Sequence, residues 1–279
     1  MTGALALGLL LVGPPAGHGA APGIRWEKQF ESALKKAQDS RKPVLVDFWA
    51  EWCGWCHKLD KTTYVDPMVV KLAEGFVAVK VNTEGSPKET AIAVRYDVNS
   101  LPTIAFLSPH GRPVLRLNGY QNSQQFPRAL EKAREVATKV MAWEAAIDKN
   151  PKDAGALHAL GVHLFEQDAY RESADLLNRA SDVDAGRPLD ERKENRLLLG
   201  AILKSDERFD DSERVLKAGL ALPPNEHFDA KLLYVLGKMY VAWGRREQAR
   251  TVLQQVVNLH AQSQIAEKAR ETLVALERK

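Results

Sequence analysis

Apolar residues along the chain fall into two textures that change near Asn150. From Ile24 to Ser40, Trp26, Phe30, Ala33, Leu34 and Ala37 recur at helical spacing, which predicts an amphipathic opening helix stopped by Arg41-Lys42-Pro43. A run of β-branched and apolar residues, Val44-Leu45-Val46-Asp47-Phe48-Trp49, predicts a buried strand, and a helix is expected from Cys53 to about Lys61. Asp66-Pro67 opens a short helix over Met68 to Glu74, with proline at a favoured first-turn position. A strand over Phe76 to Val81, a helix over Glu89 to Tyr96 and a strand over Ile104 to Leu107 follow. Pro109-His110-Gly111-Arg112 is a hairpin turn into a strand over Pro113 to Leu117, and a helix from Ser123 closes the unit. This order predicts an α/β fold: a mixed sheet with helices on both faces.

After Asn150 only helical patterning remains. Leu160-Gly161, Leu199-Gly200 and Leu236-Gly237 recur 39 and 37 residues apart. That is close to the period of tetratricopeptide repeats, in which two antiparallel helices interdigitate large and small residues. Leu233, Gly237, Tyr240, Gly244, Ala249 and Leu253 make the best copy. Leu199, Gly200, Leu203, Phe209, Leu216 and Pro224 make a second, and Leu157, Leu160, Gly161, Leu164, Tyr170 and Leu177 a third, with Ser173 and Ser212 where alanine is usual. Trp143 to Pro151 reads as half of an earlier repeat, and Gln262 to Arg278 as a capping helix. An irregular helical bundle is the alternative. The expected division is 24–137 for the α/β unit and 138–279 for the all-α repeats.

The first residues form a third region. Ala4 to Val12 is as long as a secretory apolar core, Pro14, Pro15 and Gly17 break it, and Gly19-Ala20-Ala21 offers small residues for cleavage. Residues 1–21 are therefore expected to be a signal peptide, although no Lys or Arg precedes the run. The expected location is periplasmic or otherwise exported. The alternative is a chain tethered to a membrane by an uncleaved N-terminus; the mature chain is expected to have no stable membrane span. A formal charge of +3 over 279 residues, with no basic stripe, argues against nucleic acid as a partner.

The chemistry concentrates in Trp52-Cys53-Gly54-Trp55-Cys56, which contains the only two cysteines. A zinc site would need four ligands, and no second Cys-x-x-Cys or spaced His pair exists. A staple closing two residues would restrict the unfolded chain little. A thiol at a helix start faces unsatisfied N–H groups and the positive end of the helix dipole, so Cys53 is expected to attack as thiolate and Cys56 to resolve. No metal and no cofactor are expected. An acid between Val46 and Phe48 is anomalous in a buried strand, and burial would raise the Asp47 pKa toward that of a working base. His57 is either an activator of the thiolate or a solvent-facing helix residue. His158 and His163 are most simply packing or surface residues.

Residues 26 to about 135 resemble the thioredoxin superfamily, and are most similar to the thioredoxin-like domains of periplasmic thiol:disulfide interchange proteins. The pieces that carry the resemblance are Val46 through Cys56, Val79-Lys80-Val81-Asn82, Leu101-Pro102-Thr103 and Gly119-Tyr120, in that order. The insert Thr62 to Pro67 resembles the interchange-protein branch. The resemblance implies a thioredoxin fold and a thiol-disulfide oxidoreductase acting on protein thiols and disulfides with a separate electron donor or acceptor protein. It implies that Asp47 serves the resolving cysteine and Lys80 pairs with it. It further implies that Pro102 is a cis-proline beside the sulfurs, so that Trp52, Gly54, Trp55, Leu101 and Pro102 meet substrate. Trp55 and His57 depart from the thioredoxin pattern of proline and lysine. The helical repeats are expected to hold a protein partner. The competing reading is a redox-sensitive interaction scaffold with little turnover.

Overall fold

The computed structural model describes residues 23–277. The expected signal peptide therefore lies outside the described residues. Strands β1 (Trp26–Glu27), β2 (Val44–Trp49), β3 (Val77–Asn82), β4 (Thr103–Leu107) and β5 (Pro113–Asn118) form one sheet in the order β1-β3-β2-β4-β5. The first three are parallel; β4 alone runs against them, and β5, antiparallel to β4, returns to their direction. Helices α1 (Phe30–Ser40), α2 (Gly54–Lys58), α3 (Pro67–Ala73), α4 (Pro87–Arg95) and α5 (Phe126–Lys149) cover the sheet, with a π-helical turn at Leu59–Thr63 continuing α2. This is the expected mixed sheet of a thioredoxin fold.

One expectation needs correcting. The opening helix does not begin at Ile24: Trp26 and Glu27 pair with Ala78 and Val79 as an edge strand, and α1 starts at Phe30. Trp26 matched the helical period, but strand pairing with β3 decides its conformation. Local capping fixes the other starts. Asp66 accepts from the Met68 and Val69 N–H groups ahead of Pro67, and Ser86 and Glu89 form a reciprocal capping box ahead of Pro87.

The alternation of side chains sorts the sheet into two faces. Val44, Val46, Phe48, Val77, Val79, Val81, Ala105 and Leu107 pack with Phe30, Ala33, Ala37 and Ala93. Leu45, Ala78, Ile104 and Phe106 point the other way, into a cluster with Leu59, Tyr64, Val69, Phe126 and Leu130. Asp47 and Lys80 have the parity of this second face, and the register places them directly opposite one another.

The remaining helices form antiparallel pairs: α6 (Ala154–Glu166) with α7 (Tyr170–Asp182), α8 (Leu189–Ser205) with α9 (Phe209–Leu220), and α10 (Glu226–Ala242) with α11 (Arg246–Leu259); α12 (Gln264–Glu277) follows. Each pair closes on a glycine. A Cβ on Gly161 would lie 2.9 Å from Leu177, on Gly200 2.5 Å from Leu216, and on Gly237 2.6 Å from Leu253. Ser173 and Ser212 each donate to the carbonyl of that glycine at 2.8 Å, and Ala249 fills the same offset in the last pair. This common geometry identifies a helical repeat region.

Helix α5 joins the two regions without a break, so the expected boundary at 137/138 falls inside a 24-residue helix. The sheet-face cluster continues through Ala133, Ala137 and Val140 to Leu157, Leu160, Leu164 and Leu176. Polar contacts accompany it: Ser108 and Arg112 donate to the buried Glu144, and His163 bonds the Pro113 carbonyl and packs against Trp143. His163 is thus a packing residue. The contacted residues lie at the β4–β5 hairpin. Because Val44 pairs with Leu107 and Phe48 with Thr103, that hairpin is at the end of the sheet away from the cysteines.

Candidate functional site: a bridged cysteine pair and a buried acid

The central strand β2 carries the chain to one end of the sheet, and Cys53 caps the helix that begins beyond it. Its sulfur accepts from the Cys56 N–H at 3.2 Å, and its carbonyl from the Cys56 and His57 N–H groups. The two sulfurs are bridged, with Cα atoms 5.3 Å apart. Cys53 is 3% exposed and Cys56 fully buried, so the bridge is nearly covered while its surroundings are open. Trp52 and Trp55 flank it at 68% and 56% exposure, and a Cβ on Gly54 would meet nothing within 4 Å.

Asp47, on β2 ahead of the motif, is fully buried and has Lys80 as its ion-pair partner. Burial pushes its carboxyl up to about 6; the Lys80 ammonium, 3.2 Å from Oδ2, opposes that rise, and Asp60 adds to it. Lys80 is shared, since its Nζ also donates to Asp60 at 2.5 Å. Three rings enclose the ammonium, with the centres of Trp26, Trp49 and Tyr64 at 5.3, 5.5 and 5.6 Å. Burial, and next the Asp47 charge, raise the Tyr64 phenol well above its ordinary pKa.

On the outer side, Trp55 faces Tyr120 with ring centres 5.3 Å apart, and the Lys58 ammonium sits over both. The indole N–H of Trp52 donates to Glu84 at 2.8 Å. His57 bonds the Glu51 carbonyl through Nε2 and lies edge-on to Trp49. The Leu101–Pro102 bond is cis; Pro102 is buried with its carbonyl accepting from Gly119, and Leu101 packs on the α1 and α4 face of the sheet. The structure thus brings together Cys53 with Cys56, Asp47 with Lys80, and Trp55 with Tyr120. Among the described residues no cluster of His, Cys, Asp and Glu could hold a metal ion.

Sequence reasoning missed Asp60, Tyr64, Trp26 and Lys58. Asp60 had a signal, standing one turn beyond Cys56, but the π-helical turn that aims it at Lys80 leaves no trace in periodicity.

A bridge closed over two residues at a helix start is equipment for thiol-disulfide exchange. Comparison with known proteins agrees. Residues 30–134 match the family described as a thioredoxin-like domain. A chloroplastic thioredoxin Y of Oryza sativa is 36% identical over 134 residues, covering 48% of this chain and 76% of the relative. A thioredoxin-like protein of Synechocystis is 36% identical over 105 residues, 38% of this chain and 94% of the relative. The thiol:disulfide interchange protein DsbD of Photorhabdus laumondii is 33% identical over 97 residues, 34% of this chain but only 17% of that protein. The chain belongs to the thioredoxin-like family, and its enzymatic class is thiol-disulfide oxidoreductase.

Proposed function

We propose that the protein reduces disulfides in other proteins, with Cys53 as nucleophile and Cys56 as resolving thiol. The Cys53 thiolate attacks one substrate sulfur and displaces the other as a thiolate, leaving a mixed disulfide. Cys56 then gives its proton to Asp47 and attacks Cys53 Sγ. The bridge closes, the substrate leaves as two thiols, and two electrons have passed to it. Lys80 balances the Asp47 charge. Trp52, Gly54, Trp55, Leu101 and Pro102 receive the substrate backbone around the sulfurs, which the open space over Gly54 permits. A separate dithiol protein re-reduces the pair.

The observation that carries this reading is the bridge at the cap of α2; the strand that leads to it holds a fully buried Asp47 whose pKa, about 6, suits a base near neutrality. The tetratricopeptide-like repeats form the second domain and hold a protein partner, which their stacked pairs support. Export is supported by the apolar run Ala4 to Val12, and among the described residues no helix is long and apolar enough to cross a membrane. Insulin reduction tests the central part. Turnover by the native chain and none by Cys53→Ser is expected; equal activity in the variant would refute it.

A further inference from the structure

The rim of the bridge has two chemically different sides. On one, Trp52 is tied to Glu84, with Glu51 exposed beside it. On the other, Lys58 holds its ammonium 4.8 Å from the Trp55 ring centre and 4.9 Å from that of Tyr120. Trp55 and Lys58 are three residues apart on one helical turn, so they share a face. Tyr120 is fixed from behind, its hydroxyl 3.1 Å from Thr62 Oγ1. Lys80 is neutralised by two carboxylates, yet no carboxylate among the described residues pairs with Lys58. Two π faces, one of them on the residue between the two cysteines, therefore hold an unneutralised cation and flank it with apolar walls. An anion arriving there meets a charge already in place, with little side-chain freedom left to lose.

We propose that Trp55, Lys58 and Tyr120 form a specificity subsite for protein disulfides that carry an acidic side chain next to the substrate cysteine. This rests on Cys53 being the attacking sulfur. While the mixed disulfide forms, the substrate carboxylate pairs with Lys58 Nζ and its methylene stem lies on the two rings. The exchange itself is unchanged: one substrate S–S bond breaks, the Cys53–Cys56 bond forms, and the pre-reduced pair supplies both electrons. A basic neighbour is disfavoured at the same position.

The test uses the full chain, pre-reduced, in single turnovers with disulfide-linked dimers of a capped Gly-Xaa-Cys-Gly peptide, Xaa being Asp, Asn, Lys or Phe. Each rate is divided by that of dithiothreitol on the same peptide, which removes the peptide's own reactivity. The Asp peptide is expected to react about fivefold faster than the Lys peptide at low salt. That ratio should approach one in 0.5 M salt and in Lys58→Gln, and should shrink in Tyr120→Leu. Equal Asp and Lys rates, with the Asn peptide still reduced, would overturn the subsite and leave the redox reading standing. So would a Phe peptide that outruns the Asp peptide, since the ledge would then select rings. If no peptide is reduced and Cys53 forms no mixed disulfide, the redox reading itself fails.

Discussion

Asp47 makes folding stability depend on pH. Its pKa is about 6 in the folded chain against 3.8 for an ordinary carboxyl. Between those values the unfolded chain has released a proton that the folded chain still holds, so folding stability falls as pH rises from about 4 to about 6. Asp47→Asn should remove that loss, stabilising the oxidised protein by about 2 to 3 kcal/mol at pH 8 and by nothing at pH 4, as denaturant titrations at the two pH values will show. The same variant should slow resolution of the mixed disulfide. Asp60→Asn acts in the opposite sense to burial: it removes a negative neighbour and frees Lys80 for Asp47 alone, so the Asp47 pKa drops. The rise in resolving rate with pH should then begin at lower pH than in the native chain, and an unmoved profile would count against the shared Lys80. At this scale the cysteines, Asp47 and Lys80 were legible because each is a local anomaly or part of a recurring motif. The partners that tune them come from a π-helical turn and from β1, and no spacing rule reaches those.

Within the repeats, single glycines decide whether helix pairs close. Gly200→Ala would normally favour a helix, but its Cβ would stand 2.5 Å from the buried Leu216. A net loss of about 1 to 3 kcal/mol is expected, read as a lower thermal midpoint. Gly54→Ala is the contrast, because no atom lies within 4 Å and stability should stay within about 0.5 kcal/mol. The glycine spacing revealed the repeats in advance, since a helix crossing admits only a small residue and the crossing recurs. The edge strand at Trp26 was not legible: two residues carry no period, and the partner that makes them a strand is fifty residues away in β3.

At the scale of the whole molecule, the redox end and the repeat end are separate. The repeats attach through α5 and the β4–β5 hairpin, while β2 delivers the cysteines to the opposite end of the sheet, roughly 20 Å away for a six-residue strand. A protein held on the repeats must therefore span that distance to reach the sulfurs. Glu144 anchors the junction, buried with Ser108 at 2.7 Å and Arg112 at 2.9 Å. Glu144→Ala should cost about 2 to 3 kcal/mol, because it leaves the buried Ser108 hydroxyl without its acceptor and takes from Arg112 one of its two carboxylate partners, Glu172 remaining. The reduction potential of the cysteine pair should not change. The change of texture at Asn150 announced two regions, but not the apolar cluster they share, because long-range burial has no signature in a window of neighbouring residues.

The most direct measurement is the yield of covalent adduct when pre-reduced variants meet a protein disulfide. Cys56→Ser should accumulate a stable mixed disulfide through Cys53, the native chain should pass through it without accumulation, and Cys53→Ser should form none. An adduct that forms through Cys56 in the absence of Cys53, or none in any variant, would contradict the order of attack from which this mechanism is built.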